Sequence, residues 1–380
     1  MAEFGGGREA TLLYSSGSSA EPKGIPLSHR NLVANVSQLS GCYLMRSSDR
    51  LLANLPLFHS FGLTGGFWLP ILNGMQVVTT WSPLQAKDNL MAIREESVSV
   101  MIGTPTFLRP YLKKASSEDL KSLRLVVAGA EKLPSDLAEQ WKRRFGISIL
   151  EGYGMTECAP VISANCLRSD ALKGRYALAQ NGSKQGSAGL PLPGIRIRIV
   201  NPENKSEIAK PGSGGLILVK GPNIFCGYLE PSSEVRFTQD GWLDTGDLGR
   251  IDDEGFLWIE GRLSRFSKIG GEMVSHTAVE EAIVEAYPEI GESEVPSLFV
   301  GSRACGKKGE SLVLLTTRSC DGVELSKRLR NQGLPNLWIP QHLVEVGSLP
   351  LLGSGKLDLK ACSALCGDDS PAQQLQVGAA

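Results

Sequence analysis

Histidine is scarce here: 4 in 380 residues, little raw material for histidine-based nucleophilic catalysis or a zinc site. No Gly-x-Ser-x-Gly elbow is present, and the Gly-x4-Gly-Lys-Ser/Thr order of a Walker loop is absent. The 8 cysteines (Cys42, Cys158, Cys166, Cys226, Cys305, Cys320, Cys362 and Cys366) contain no Cys-x-x-Cys pair. Their wide spacing argues against a metal cluster or a disulfide framework and predicts reduced thiols. Neither sign of charge predominates: the net is -1, so no global field recruits nucleic acid. No apolar run is long enough to cross a bilayer, and no amphipathic anchor stands out. Met1-Ala-Glu-Phe-Gly-Gly-Gly-Arg8 has neither the charged start nor the apolar core of a signal peptide, and residues 1–10 read as a leader or truncation point. No internal repeat is found. What remains is an ordinary globular composition, 42% hydrophobic and 21% charged, long enough for two domains.

The first two hundred residues alternate between strand and helix patterns. Helical spacing is predicted from Ser28 to Ser40, Ala86 to Glu96 and Asp136 to Phe145. Short β-type runs lie at Leu51–Leu55, Gln76–Thr80, Val98–Ile102, Leu123–Val127 and Ile147–Leu150. The repeated order implies α/β architecture with parallel sheets covered by helices, and ligands at the carboxyl ends of the strands. From Gly194 the texture changes to alternating runs with Gly, Pro, Asn and Asp turns, a β-rich and antiparallel subdomain over 194–261. Leu167–Ser187 reads as a surface loop. Beyond Arg262 come a hairpin-like piece, helices near Thr277–Glu285 and Val323–Asn331, and strands at Ser297–Val300 and Ser311–Thr316. These describe a small α+β domain over 262–366, followed by a polar tail, 367–380, predicted to be disordered.

Four segments and one pivot stand out as chemistry. Leu13-Tyr-Ser-Ser-Gly-Ser-Ser-Ala-Glu-Pro-Lys-Gly24 leaves an apolar run and clusters backbone N–H groups, hydroxyls and a lysine suited to a polyanion. A flexible Ser/Gly linker is the alternative. Glu151-Gly-Tyr-Gly-Met-Thr-Glu157 bares Tyr153 between glycines, so that its ring can lie against a flat ligand. Thr156 and Glu157 offer oxygens to phosphate and to a hard cation such as Mg²⁺. A strand-to-helix turn around a core tyrosine is the alternative. Ala128-Gly-Ala-Glu131 ends another strand and could line the same pocket. His59, among aromatics in Asn54-Leu-Pro-Leu-Phe-His-Ser-Phe-Gly62, suits a gate, and equally a satisfied core histidine. Lys356, in the Gly/Ser turn of Leu349-Pro-Leu-Leu-Gly-Ser-Gly-Lys-Leu-Asp358, can deliver mobile positive charge to a phosphoryl centre, or be an ordinary surface lysine. The pivot is Thr245–Arg262, which puts Asp247 just after a turn and closes on a Gly261-Arg262 corner.

Taken in order, these segments resemble the acyl-adenylate-forming (AMP-binding) superfamily from about Thr11 to about Lys360. Pro56-Leu-Phe-His-Ser-Phe-Gly-Leu-Thr64, Val126-Val-Ala-Gly-Ala-Glu-Lys132, Glu151-Gly-Tyr-Gly-Met-Thr-Glu-Cys-Ala-Pro160, Lys268-Ile-Gly-Gly-Glu-Met-Val-Ser275 and Pro350-Leu-Leu-Gly-Ser-Gly-Lys356 are most similar to acyl-acyl carrier protein synthetases, often fused to a 2-acylglycerophosphoethanolamine acyltransferase. The resemblance implies an adenylate-forming fold, with a large domain over 11–261 and a small mobile domain over 262–366. It implies ATP and Mg²⁺, a fatty acid, and acyl carrier protein as thiol acceptor. Coenzyme A as acceptor, or a truncated non-catalytic binder of ATP or acyl-adenylate, are the alternatives. By the same resemblance Ser15, Ser16, Gly17, Ser18, Ser19 and Lys23 hold the β- and γ-phosphates. Gly129, Ala130, Glu131, Gly152 and Tyr153 surround the adenine, and Asp247 and Arg262 meet the ribose. Thr156 meets the α-phosphate, Glu157 the Mg²⁺, and Lys356 bridges carboxylate and α-phosphate in the transition state. His59 lies on the acyl side, Lys268, Gly270 and Gly271 on the thiol side, and Ser264 at the hinge.

Three differences from the family pattern follow. Ala20 replaces a common glycine, Ser264 stands where Asp or Lys is usual, and the section normally upstream of the phosphate loop is not among these residues. Exposed apolar surface is therefore expected where that section would pack. An acidic carrier protein would need a local basic patch, for which Arg262, Arg265 and Lys268 are candidates, a solvated loop being the other reading. The implied location is cytoplasmic, with peripheral contact at the inner membrane face through a separate acyltransferase module.

Overall fold

Neighbouring apolar residues along the short strands face opposite ways, which makes the first half of the chain a layered sheet. The computed structural model describes residues 5–15, 22–167, 182–230, 236–288, 295–305, 309–351, 357–367 and 373–374. These form two compact units, the first running to Ile259 and the second from Glu260.

In the first unit, β1 (Glu9–Ser15) and β2 (Lys23–Ser28) pair antiparallel, with Ser15 opposite Lys23. The main sheet contains β3 (Arg50–Ala53), β4 (Gln76–Thr79), β5 (Val100–Gly103), β6 (Leu125–Ala128), β7 (Ile149–Gly154), β8 (Val161–Ala164) and β9 (Leu190–Pro191). Its order is β4-β3-β5-β6-β7-β8-β9. The pairs from β4 through β7 are parallel; β8 pairs antiparallel with β7 and β9. Leu51, Val100 and Leu125 enter one core with Leu32, Val36 and Leu39 of the helix His29–Cys42. Their neighbours Leu52, Met101 and Val126 enter a second core with Leu90, Ile93, Leu137 and Trp141 of the helices Ala86–Glu95 and Ser135–Phe145. Each such side chain stabilises the fold by about 1.5–3 kcal/mol when fully buried, so helices on both faces hold this sheet in place.

Local chemistry sets the helix limits. Ser28 caps His29–Cys42: its hydroxyl accepts the Asn31 N–H at 3.2 Å, and Asn31 Oδ1 accepts the Ser28 N–H at 2.9 Å. Gly146, at φ 72°, ends Ser135–Phe145 in the left-handed region that glycine tolerates. A four-stranded sheet follows, in the order β10 (Arg196–Val200), β11 (Gly215–Lys220), β12 (Leu243–Ile251) and β13 (Leu257–Arg262), antiparallel through its first three strands.

In the second unit, β14 (Phe266–Ile269) and β15 (Glu272–Ser275) form a hairpin. It joins β16 (Leu298–Cys305), β17 (Gly309–Thr316), β18 (His342–Glu345) and β19 (Gln373–Gln374) in one sheet. Leu312 and Leu314 pack with Val279 and Ile283 of the helix His276–Ala286 and Leu325 and Leu329 of the helix Gly322–Asn331. Val313 and Leu315 pack on the other face with Cys362 and Cys366 at the C-terminal helix Leu359–Leu365.

Several expectations are corrected. The segment around Asp247 is a nine-residue strand, β12, with no turn breaking it before Asp247. β7 continues past the expected end at Leu150 to Gly154, so Tyr153 lies within the strand. β1 starts at Glu9, inside the expected leader. Within the expected disordered tail, Gln373–Gln374 pairs with β18. Cys42 and Cys166 form a disulfide with a Cα–Cα distance of 5.4 Å, against the expectation of reduced thiols throughout. Cys42 ends a helix and Cys166 follows β8, and their separation of 124 residues hides from the sequence that the fold brings them together. Residues 168–181 of the expected loop lie outside the described residues. Large apolar side chains are exposed along 57–91, among them Phe58 (82%) and Trp81 (95%). Among the described residues no helix is long and apolar enough to cross a membrane.

Candidate active site

The carboxyl ends of β6 and β7 carry the Gly129–Glu131 and Gly152–Glu157 segments. Tyr153 lies on β7 opposite Ser163 of β8. Gly154 is required beside it, because a Cβ there would come within 2.1 Å of the Pro160 carbonyl oxygen. Gly129 is buried, and a Cβ there would sit 3.3 Å from the Phe61 ring. Ala130 takes the left-handed conformation, φ 65°, uncommon for a residue with a side chain. Glu131 accepts the Thr106 hydroxyl at 2.7 Å.

Asp247 reaches Tyr153 from the four-stranded sheet. Leu216 of β11 lies opposite Leu248, but Leu218 lies opposite Asp244, so β12 bulges between these pairs. Gly246 takes φ 73° in the bulge, a conformation open to glycine. Such a bulge re-aims the side chain beside it. The Thr245 hydroxyl locks the kink, donating to the Ile217 carbonyl at 2.9 Å and accepting the Asp247 N–H at 3.1 Å. Asp247 is buried, and its Oδ2 accepts the Tyr153 hydroxyl at 2.5 Å. Burial, and then the neighbouring carboxylate, push the Tyr153 phenol well above its ordinary range, so it stays protonated as donor. The expected turn before Asp247 is thus a bulge within a strand.

Thr156 and Glu157 occupy one 3₁₀ turn after β7. The Thr156 and Ser60 hydroxyls are 3.1 Å apart. Glu157 is buried, and its Oε1 accepts the Tyr228 hydroxyl at 2.8 Å. Lys23 Nζ stands 5.0 Å from the centre of the Tyr228 ring, a cation–π distance. The segment 221–230 joins these parts: Asn223 Nδ2 donates to the Cys158 carbonyl at 2.6 Å, and the Gly24 N–H donates to Glu230 Oε2 at 3.0 Å. Sequence reasoning missed Tyr228, Asn223 and Glu230. The signal was a glycine-flanked aromatic, Gly227-Tyr228, in a Pro/Gly-rich stretch that also serves as an ordinary turn.

A magnesium ion usually takes one or two protein carboxylates and completes its shell with phosphates and water. Glu157, the one carboxylate beside Thr156 in that turn, fits such a role. Among the described residues no three His, Cys, Asp or Glu side chains are grouped as ligands for a protein-only metal cage.

His59 is exposed, and its Nδ1 accepts the Phe61 N–H at 3.2 Å. Ser15 is placed only by its backbone pairing, while Ser16, Gly17, Ser18, Ser19 and Lys356 lie outside the described residues. In the second unit, Arg262 ends β13 and Ser264 is exposed in the turn Leu263–Arg265. Gly270 (φ 58°) and Gly271 (φ 90°) form the two-residue turn between β14 and β15, where both positions favour glycine. Lys268 presents an exposed side chain from β14. Arg265 is corrected as a member of the basic patch. It is buried, donating to the Val300 carbonyl at 2.9 Å and to Glu280 at 2.5 Å, with its guanidinium 4.3 Å from the Phe299 ring centre.

The family profile of the AMP-binding enzymes matches residues 6–229. The chain belongs to the AMP-binding enzyme family. It is 32% identical to a feruloyl-CoA synthase of an Amycolatopsis species over 350 residues, 91% of this chain and 67% of that protein. It is 30% identical to a long-chain-fatty-acid–CoA ligase of Salmonella typhimurium over 336 residues, 84% of this chain and 57% of that protein. Among solved structures, ATP-bound MatB of Rhodopseudomonas palustris superposes with a TM-score of 0.77 at 26% identity, covering 95% of this chain and 69% of the other. The o-succinylbenzoate CoA synthetase of Bacillus subtilis with ATP and magnesium gives 0.77 at 28% identity, covering 93% and 69%. The adenylate-forming fold expected from the sequence is therefore the one observed, with its mixed α/β sheet and its antiparallel sheets.

Proposed function

We propose that this chain carries out ATP-dependent activation of a long-chain fatty acid as its acyl-adenylate, followed by transfer of the acyl group to a thiol. The observation that carries this reading is the Tyr153–Asp247 hydrogen bond, which joins a glycine-flanked ring near the end of β7 to a buried carboxylate in the middle of β12. In the first half-reaction a carboxylate oxygen attacks the α-phosphorus and pyrophosphate leaves. In the second, the thiol loses its proton, its sulfur attacks the acyl carbonyl, and AMP leaves. Two anions meet in the first step, so preorganised positive charge contributes most there.

In this reading Tyr153 stacks on the adenine, with Gly129, Ala130, Glu131 and Gly152 around it, and Asp247 accepts from the ribose hydroxyls with Arg262 assisting. Ser15, Ser16, Gly17, Ser18, Ser19 and Lys23 bind the β- and γ-phosphates, and Thr156 the α-phosphate. Glu157 would hold Mg²⁺, whose charge offsets that of the phosphates when bound. Lys356 supplies the cation at the reacting centre. His59 borders the acyl chain, Lys268, Gly270 and Gly271 border the thiol, and Ser264 is the hinge between domains 11–261 and 262–366.

The thiol belongs to acyl carrier protein in the reading favoured by the motifs. Coenzyme A is the second reading, supported by the names of both relatives above. ATP–pyrophosphate exchange driven by a long-chain fatty acid tests the first half-reaction, and Lys356→Ala is expected to abolish it. Exchange unaltered by that change removes the lysine assignment; ATP binding without exchange in folded protein favours a non-catalytic nucleotide binder. Incubating the fatty acid with each thiol separately decides the acceptor.

A further inference from the structure

The β14–β15 hairpin is held from behind by a polar chain, buried at Ser267 and His276, that the reading above leaves unassigned. Glu310, at the start of β17, accepts the backbone N–H of Lys268 on Oε2 at 2.7 Å. Its Oε1 accepts the Ser302 hydroxyl at 2.7 Å and the Ser267 hydroxyl at 3.3 Å. The Ser267 oxygen lies 2.8 Å from His276 Nε2. Ser267 and His276 are 2% and 4% exposed, and His276 Nδ1 has no hydrogen-bond partner.

One arrangement of protons satisfies this chain best. A serine hydroxyl has a single proton, and with Ser267 donating to the Glu310 carboxylate, His276 must donate from Nε2. Nδ1 is then a bare lone pair rather than a stranded N–H, and the unpaired group costs less. Burial, with Arg265 adding to it, pushes the His276 imidazole down to about 3, which keeps the ring neutral. The donor direction His276 to Ser267 to Glu310 therefore holds across the physiological range. The carboxylate gathers three donors, one of them the backbone amide of Lys268, three residues before the end of the Gly270-Gly271 turn.

We infer that Glu310, oriented by Ser267 and His276, is a positioning residue for the second half-reaction, fixing the Lys268–Glu272 turn against which the thiol is presented. The inference rests on the thiol-side assignment of Lys268, Gly270 and Gly271 proposed above. It requires no contact between Glu310 and substrate: the carboxylate acts through the backbone of the hairpin.

The test uses the full chain with Glu310→Ala and Glu310→Gln. Amide hydrogen exchange reports the Lys268 N–H, fatty-acid-driven ATP–pyrophosphate exchange reports adenylation, and transfer from supplied acyl-adenylate to the thiol reports the second step alone. Glu310→Ala is expected to deprotect Lys268 and slow transfer by about tenfold while exchange stays within about twofold of wild type. Glu310→Gln, which keeps a carbonyl oxygen for the amide, is expected to restore part of both. Unchanged Lys268 protection in Glu310→Ala, or equal losses in both half-reactions, overturns the inference. Wild-type protein that transfers from supplied acyl-adenylate but fails in exchange contradicts the adenylation reading and leaves this inference standing on transfer and protection.

Discussion

Glu151 precedes the Gly152-Tyr153 pair and carries a cost of its own. Burial pushes its carboxyl up to about 7, against smaller lowering effects from the Leu133 N–H, which it accepts at 3.2 Å, and from Lys132. An acid whose folded value exceeds its unfolded 4.5 binds more protons when folded, so its contribution falls as pH rises from about 4.5 to about 7. Glu151→Gln is expected to remove that slope and to stabilise the protein by about 1–3 kcal/mol above pH 7, as measured by urea unfolding at several pH values. A variant as steeply pH-dependent as wild type would place the slope elsewhere. Individual residues stand out in the sequence where their surroundings are local, as Tyr153 does between its glycines. Tyr228 and Asn223 do not, since their importance comes from Glu157 and Cys158, far away in sequence and adjacent only after folding.

The parallel strands and their helices could be read within a few residues, because short apolar runs between turn residues leave few other structures. β12 could not. Leu243-Asp-Thr-Gly-Asp-Leu-Gly-Arg-Ile251 is rich in turn-forming residues, and only pairing on both sides makes it a strand. The Cys42–Cys166 bond joins a helix end to the segment after β8, and β8 in turn pairs with the strand bearing Tyr153. Closing so long a loop restricts the unfolded chain, and Cys42→Ser is expected to lower stability by about 3–5 kcal/mol under oxidising conditions. Thermal melts with and without reductant check this: the wild type should approach the variant once reduced. Thiol titration of the unreduced protein in denaturant should find the 6 free cysteines.

The two units share an order of construction, alternating strand residues feeding a core on each face, and the second holds a buried group that acid should charge. His276 in the second unit has a folded value near 3 against an ordinary 6.5, so the unfolded chain binds the extra proton first. The stability this group leaves intact above 6.5 is lost progressively as pH falls from 6.5 toward 3. Hydrogen exchange from pH 7 to pH 4 is expected to show the second unit loosening, with His276→Gln flattening the trend; equal loosening in that variant would assign it to other groups. The change from parallel to antiparallel patterning near Gly194 falls inside the first unit, and the change to α+β patterning comes after it. The order of strands within each sheet was not visible in the sequence, because periodicity records which face a residue takes and not which neighbour it pairs with.

The bulge at Gly246 makes one stretch of the chain sensitive to reading frame in a way the rest is not. A one-residue slip in a strand exchanges its two faces. Removing or adding one residue between Asp244 and Leu248 would turn the Asp247 carboxylate away from Tyr153 and bring an apolar neighbour into its place. The exposed turn at 202–206 between β10 and β11 carries no such phase, and length changes there leave both strands facing as before. Variation in length should therefore collect in that turn, while the five residues 244–248 keep their count.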